Sequence, residues 1–253
     1  MNQIQAQAYL DRIGCSFTAP DAKNLAALQY RHLLTVPYEN LDILEGIRIS
    51  LCEEALFDKI VTRHRGGYCF EVNRLFGALL RALGYEVYDL SARYLRGVEG
   101  IPMRRHHVLR VTCADGSTYL CDVGVGEPLP MEPVPYLTTE VFRDSVGGEY
   151  FFREDAFLGH VLCENHKGAV RDVISFTEEP WIQEDYETIS FYCEFAPDSI
   201  FNKGRICAIR REGGYRITLS GNIMHTFING TVEETEIPES QIPEILDTVF
   251  GIR

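Results

Sequence analysis

The stretch Arg65–Glu71 reads Arg-Gly-Gly-Tyr-Cys-Phe-Glu, and it places one cysteine where a glycine-rich turn becomes a helix. After Cys69, apolar residues recur at intervals of three and four positions until Gly84, which predicts an amphipathic helix with one apolar face. Unpaired N–H groups and the positive end of the helix dipole favour a thiolate at a helix start. Cys69 is therefore a candidate nucleophile, and the alternative is an inert core cysteine.

The composition restricts the class of protein. The chain has 253 residues, 45% of them hydrophobic, and a formal net charge of −13. Such an acidic balance argues against general binding of nucleic acids or anionic membranes, and an anionic ligand would need a local basic pocket. No run of about 18 apolar residues and no signal-like start occurs, so we expect a cytoplasmic protein.

The eight cysteines are scattered through the chain without a Cys-x-x-Cys pair. This spacing indicates neither a zinc site nor a redox dithiol. We therefore expect no metal, and we expect most of the cysteines to be reduced core residues.

Periodicity divides the chain into a helical start and a β-rich remainder. Helices are predicted from Gln5 to about His32, with Asp21 as a cap, and again over 50–63. After Gly84 the pattern alternates, which predicts strands at 85–94, 106–112 and 118–123. Further strands are predicted at 149–153, 157–163, 170–176, 190–194, 205–211, 215–220 and 222–228, and a last helix at 241–250.

A possible catalytic trio follows from these elements. Asp122 lies one predicted strand away from His106 and His107, so residues on the paired strands can meet. A cysteine nucleophile, a histidine that takes its proton and a carboxylate that orients the imidazole form a known acyl-transfer site. Spacing alone supports this trio weakly, because seven histidines and many carboxylates offer chance combinations.

Five segments in order make the chain resemble the arylamine N-acetyltransferases. These segments are Tyr9–Gly14, Val36–Leu41, Arg65–Glu71, Asp122–Gly126 and Pro197–Phe201. The resemblance covers nearly the whole chain, and it implies that Cys69 and Asp122 are catalytic. The family pattern Arg-Thr-His-x-Leu-Leu-Leu-Val, aligned with 104–111, puts His106 in the catalytic position, with His107 as the alternative.

The resemblance also implies a reaction and its ligands. Acetyl-coenzyme A acylates the cysteine, coenzyme A leaves, and an arylamine, arylhydroxylamine or hydrazine attacks the thioester in a ping-pong cycle. We expect Tyr68, Phe70 and Val125 to contact the substrate. The family usually has phenylalanine where this chain has Val125, so the residue either widens the acceptor pocket or is a neutral exchange between apolar side chains. The residues expected to contact coenzyme A are Ser199, Lys203 and Arg205.

The expected fold is α+β in three units with the arrangement of the papain-like cysteine-triad superfamily. A helical bundle (1–84) carries the cysteine, an antiparallel β-barrel (85–189) carries the histidine and aspartate, and an α/β lid (190–253) covers the site. Three alternatives stay open: a thiol hydrolase or transglutaminase-like enzyme, an acyltransferase with a bulkier acyl donor, and a silent binding protein. The oligomeric state is not predicted.

Overall fold

A computed structural model of the chain describes residues 1–228 and 230–252 and has a helical N-terminal third. The first two helices begin after polar caps: the Asp21 side chain, the predicted cap, accepts from Asn24 N, and the Asn2 side chain accepts from Gln5 N. The helices of the described ranges are α1 (Gln3–Ile13), α2 (Ala22–Thr35), α3 (Leu41–Leu44), α4 (Glu53–Phe57), α5 (Cys69–Ala82), α6 (Gln183–Phe195) and α7 (Ile242–Thr248).

Helix α5 is the centre of the N-terminal core. Its predicted apolar face is buried against α1 and α2 in one hydrophobic cluster that includes Leu75, Phe76 and Leu79. Burying each such side chain contributes about 1.5–3 kcal/mol relative to leaving it in water. The helix predicted at 50–63 is present as α4, followed directly by a π-helical turn, Asp58–Thr62.

Thirteen strands in the described ranges form two sheets. Their bounds are β1 (Tyr38–Glu39), β2 (Glu86–Tyr94), β3 (His106–Thr112), β4 (Thr118–Cys121), β5 (Val134–Pro135), β6 (Phe142–Arg143), β7 (Glu149–Asp155), β8 (Gly159–His166), β9 (Ala169–Phe176), β10 (Ile206–Arg210), β11 (Arg216–Ser220), β12 (Ile223–Ile228) and β13 (Thr231–Glu236).

The larger sheet has eight antiparallel strands in the order β5-β4-β3-β2-β9-β8-β7-β6. Val134 on one edge strand and Phe142 on the other pack into the same apolar cluster, so the sheet curls around its core like a barrel. The predicted α+β fold with a barrel-like antiparallel sheet is confirmed.

The smaller sheet has the order β1-β10-β11-β12-β13. Its first strand comes from the N-terminal third, because Tyr38 pairs with Ala208 across β1 and β10. Helix α7 packs on this sheet through Ile242, which shares a cluster with Leu219. The division at residues 84 and 189 stays a prediction.

The strand predicted at 190–194 is wrong, because these residues lie in α6. Tyr186, Ser190 and Cys193 are buried on one face at helical spacing, and the Asp185 side chain accepts from Ile182 N at 3.0 Å at the helix start. The predicted boundary between 189 and 190 therefore falls inside a helix. The prediction also missed β13, whose residues are all exposed and show no apolar alternation.

None of the helices in the two described ranges combines the length and apolar character that a bilayer crossing requires.

Candidate active site

Cys69 is the first residue of α5, as predicted. The turn before it depends on two glycines, because a Cβ on Gly66 would lie 1.9 Å from the Pro37 carbonyl oxygen and one on Gly67 would lie 2.7 Å from Glu71 Oε2. The Glu71 carboxylate accepts from the Tyr68 backbone N–H at 3.1 Å. The tight turn thus holds the cysteine at the helix start.

His106 and Asp122 form a buried pair. His106 Nε2 lies 2.6 Å from Asp122 Oδ2, and both side chains are almost fully enclosed. The other carboxylate oxygen, Oδ1, accepts from Asn73 Nδ2 at 2.9 Å and from Gly124 N at 2.8 Å. The aspartate is therefore held in place, and its contact with Nε2 leaves Nδ1 as the free ring nitrogen of His106.

Asn73 is a site residue that the sequence analysis missed. It lies one helical turn after Cys69, and its Nδ2 also donates to the His107 carbonyl at 2.6 Å while its Oδ1 accepts from Val123 N at 2.9 Å. The side chain thus joins the cysteine helix to the strand of the histidine and the loop of the aspartate. A polar residue within the buried face of an amphipathic helix was the available signal.

His107 points to the opposite side of β3. Its Nε2 lies 2.8 Å from Asp89 Oδ1, and its ring packs on Tyr186 with a centroid separation of 4.4 Å. Burial lowers the pKa of His107, and the hydrogen bond to Asp89 acts in the opposite direction. The structure brings His106, not His107, to Asp122.

The sulfur of Cys69 is buried and lies 3.8 Å from the Arg105 carbonyl oxygen. Burial raises the pKa of the Cys69 thiol well above its usual range, and the nearby Cys193 adds to this shift. The backbone N–H groups of His107 and Phe70 lower the pKa but do not outweigh burial. The helix start alone therefore does not stabilise a thiolate, and the thiol needs a base close by.

A cavity of about 460 Å³ opens between the barrel and the smaller sheet. Cys69 and His106 lie in its wall together with Val125, one of the three predicted substrate contacts. Two tyrosines that the sequence analysis did not select, Tyr38 and Tyr94, line it as well. The volume is in the usual range of sites that bind small molecules.

The other two predicted substrate contacts are buried in the core outside the described cavity wall. The Tyr68 hydroxyl is 2.5 Å from Ser190 Oγ, and the Phe70 ring packs against Tyr186 with a centroid separation of 6.0 Å. Neither residue is among the described residues that line the cavity. Their side chains join α5 to α6 instead of facing the cavity.

The residues predicted to contact coenzyme A have partners elsewhere. Ser199 Oγ donates to the Cys193 carbonyl at 2.5 Å, and the Lys203 ammonium donates to the Pro197 carbonyl. Arg205 donates to the Gly221 carbonyl and to Glu239 Oε1, both at 2.7 Å. None of the three is among the described residues of the cavity wall. A residue that is close in sequence to the wall residues Ile200 and Phe201 can still point away from the cavity.

No group of three or more His, Cys, Asp or Glu side chains in 1–228 and 230–252 is arranged to hold a metal ion.

Sequence comparison identifies the family. A family model described as N-acetyltransferase matches residues 21–253. The arylamine N-acetyltransferase of Mycolicibacterium smegmatis is 35% identical over 96% of this chain and 90% of its own length. The chain belongs to the arylamine N-acetyltransferase family. Human arylamine N-acetyltransferase 1 is 29% identical over 98% of this chain and 94% of its own length.

Solved structures of this family share the fold over the whole chain. The arylamine N-acetyltransferase of Salmonella typhimurium superposes with a TM-score of 0.92 at 27% identity and covers 100% of this chain and 92% of its own. The Mycobacterium marinum arylamine N-acetyltransferase in complex with CoA gives a TM-score of 0.90 at 31% identity and covers 98% of this chain and 92% of its own. The predicted family and acyltransferase class are confirmed.

Proposed function

We propose that this member of the arylamine N-acetyltransferase family transfers the acetyl group of acetyl-coenzyme A to an aromatic amine through a thioester on Cys69. The observation that carries the proposal is the His106–Asp122 pair at 2.6 Å, whose histidine shares one cavity wall with Cys69. The family match and the CoA complex of a relative support the choice of donor.

In the first half-reaction, His106 takes the proton of the Cys69 thiol on its free ring nitrogen, Nδ1. The resulting thiolate attacks the carbonyl carbon of the acetyl thioester, and the backbone N–H of Cys69 at the helix start is the proposed oxyanion donor. When the tetrahedral intermediate collapses, the bond to the coenzyme A sulfur breaks. The leaving thiolate takes the proton from the imidazolium, so coenzyme A departs as a thiol.

In the second half-reaction, the amine nitrogen attacks the acetyl-Cys69 carbonyl and passes a proton to His106. The carbon–sulfur bond to Cys69 breaks, and the cysteine thiolate leaves as the amide forms. The imidazolium returns its proton to this thiolate, which restores the starting state. Asp122 stabilises the imidazolium and orients the ring in both halves.

The thiol-hydrolase alternative uses the same residues with water as the acceptor. The bulkier-donor alternative keeps the amine acceptor and changes the acyl group. The widening of the acceptor pocket at Val125, the cytoplasmic location and the absence of nucleic-acid and membrane partners also stay predictions.

The test is the intact mass of the protein after brief exposure to acetyl-coenzyme A without amine. We expect one acetyl group on the wild type, none on Cys69→Ala, and its removal when an arylamine is added. Cys52→Ala is the matched control, because Cys52 is the exposed cysteine of the described chain and should not carry the reaction.

Different outcomes identify different functions. Rapid loss of the acetyl group in buffer, with no acceleration by arylamine, would favour the hydrolase. An adduct with longer acyl thioesters but not with acetyl-coenzyme A would favour the bulkier-donor acyltransferase. Retained turnover in the Cys69→Ala variant would overturn the assignment of the nucleophile.

A further inference from the structure

Coenzyme A is a polyanion, whereas this chain has a formal net charge of −13. Phosphates that approach an acidic protein need a local cation to offset the repulsion. The basic residues predicted for this role do not line the cavity, as described above. A cation that contacts the phosphates would therefore have to come from the cavity wall itself.

Among the described residues of that wall, Arg105 is the only lysine or arginine. It stands directly before His106, where the family pattern has threonine, so this chain adds a positive charge at that position. Its backbone carbonyl is the one that lies 3.8 Å from the Cys69 sulfur. The side chain is thus rooted beside the nucleophile.

The guanidinium of Arg105 is not committed to another group in the described chain. Its neighbour Arg104 donates to Glu179 Oε2 at 2.6 Å, whereas no ion pair or hydrogen bond of the Arg105 side chain is found within 1–228 and 230–252. Arg105 is half-buried. A partly buried arginine without a carboxylate partner can bind a ligand anion.

The Arg105 charge acts on two groups at and just beyond the end of α6. Burial raises the pKa of the Cys193 thiol to about 12, and the charge of Arg105 opposes this shift. The hydrogen bond from Tyr192 lowers the pKa of Asp198, and Arg105 adds to this effect. The Arg105 charge therefore lies near the C-terminal end of α6, next to the segment whose Ile200 and Phe201 line the cavity.

The Asp198 carboxylate is not bound to the Arg105 guanidinium. Both of its carboxylate oxygens are 2.7 Å from the Tyr192 hydroxyl, and no ion pair with Arg105 is formed in the described residues. An incoming anion would still compete with this carboxylate over a longer distance. The attraction between Arg105 and a bound anion should weaken as salt is added, because salt screens charges.

On the basis of the proposed function, we infer that Arg105 binds anionic oxygens of the acyl donor and that these belong to the phosphates of coenzyme A. The same chemistry is available from a carboxylate at the end of a dicarboxylic acyl group. The phosphates are the favoured source, because acetyl-coenzyme A, the proposed donor, carries them and its acetyl group has no carboxylate.

The experiment measures the rate of Cys69 acylation with two acetyl donors, acetyl-coenzyme A and S-acetylpantetheine, which lacks the phosphates. For Arg105→Gln we expect kcat/KM with acetyl-coenzyme A to fall roughly 10- to 100-fold, mainly through KM, as for the loss of a charge-assisted hydrogen bond. With S-acetylpantetheine the change should stay within about twofold. Arg105→Lys should recover part of the loss, since it keeps the charge but not the fork of donors.

Arg104→Gln is the matched control, because it removes a neighbouring arginine that is paired with Glu179. We expect it to leave both donors unaffected. Succinyl-coenzyme A forms the third arm: a wild-type preference for it over acetyl-coenzyme A that disappears in Arg105→Gln would assign the bound anion to the acyl carboxylate and overturn the phosphate assignment.

An equal loss with both acetyl donors would overturn the inference, because it would show that Arg105 acts on Cys69 or on the fold. No loss with either donor would overturn it too. If neither acetyl donor acylates the wild type, while p-nitrophenyl acetate does, the proposed function fails and the role of Arg105 fails with it.

Discussion

At the scale of single residues, β3 separates two adjacent histidines. Successive side chains of a strand point to opposite faces, so His106 reaches the cavity and Asp122 while His107 reaches Asp89 and Tyr186. Although burial opposes it, the hydrogen bond from His107 lowers the pKa of Asp89 to about 2. One histidine can therefore exchange protons with a ligand, and the other holds a buried carboxylate.

We predict that His106→Ala lowers the rate of Cys69 acylation by about 10²- to 10⁴-fold, the usual contribution of a general base. His107→Ala should keep this rate within a few-fold but lower the melting temperature, because it leaves the largely buried Asp89 without its imidazole partner. The measurements are the burst of p-nitrophenol from p-nitrophenyl acetate and thermal unfolding.

The comparison of the two variants is its own control, since the substitutions are identical and adjacent. Loss of the burst in the His107 variant alone would refute the assignment of His106 to the catalytic pair.

At the scale of elements, the start of α5 rests on a buried charge cluster. Lys59 Nζ lies 2.8 Å from Asp42 Oδ2 and 2.7 Å from Glu71 Oε1. Arg65 pairs with Asp42 at 2.8 Å and with Glu39 at 3.0 Å. Three carboxylates share two cations. Burial raises the pKa of Glu71 to about 7, with the Lys59 charge opposing and the Glu39 charge adding to the shift.

The sign of the resulting pH dependence follows from linkage. In the unfolded chain Glu71 has a pKa of about 4.3. Since its folded pKa is higher, the folded state holds the proton more tightly, and Glu71 contributes stability that is complete below about pH 4.3 and is lost as the pH rises through about 7. Burial opposes the ion pairs of Asp42, but Lys59 and Arg65 keep its pKa low, so Asp42 does not titrate in this window.

We predict that the difference in melting temperature, wild type minus Glu71→Gln, decreases as the pH rises from 5 to 8. Glutamine keeps the shape and the hydrogen bond to Tyr68 N but cannot ionise. Thermal unfolding followed by circular dichroism over this range provides the measurement. A difference that is constant with pH would show that Glu71 is ionised in the folded state throughout this range, as it is in the unfolded chain.

At the scale of the whole molecule, the cavity wall combines segments from the N-terminal and the C-terminal thirds of the chain. Asn40, after β1, donates to the Phe201 and Gly204 carbonyls at 2.7 and 2.8 Å, and its Oδ1 accepts from Ile206 N at 2.7 Å. Phe201 and Ile206 line the cavity. One buried asparagine thus attaches the C-terminal wall of the site to the N-terminal segment.

We predict that Asn40→Ala lowers the free energy of unfolding by about 2–4 kcal/mol, because three backbone groups lose their partner, one of them at a buried contact and two at partly buried contacts. Urea unfolding gives the measurement, and acetyl transfer should weaken in parallel as the wall loosens.

Asn222→Ala is the matched control, since the side chain of Asn222, in the turn between β11 and β12, makes an exposed hydrogen bond to Glu236 at 3.2 Å. Its effect should stay within about 0.5 kcal/mol. Equal effects of the two substitutions would show that Asn40 is not the structural link described above.

The sequence by itself determined the local elements around the nucleophile. The glycine turn, the apolar period of α5 and the alternation of β3 and β4 placed Cys69 at a helix start and His106 and Asp122 on and beside paired strands. These features follow from interactions within about ten residues, where backbone sterics and side-chain periodicity dominate. The family motifs pointed to the same residues.

Only the tertiary structure decided which distant side chains meet. It assigned His106 rather than His107 to Asp122, added Asn73 as their link, and turned 190–194 into a helix that buries Cys193 against the core. It also left Lys203 and Arg205 out of the described cavity wall and put Arg105 there. The physical reason is that strand register and helix packing, which join segments far apart in the chain, set the neighbours of a side chain.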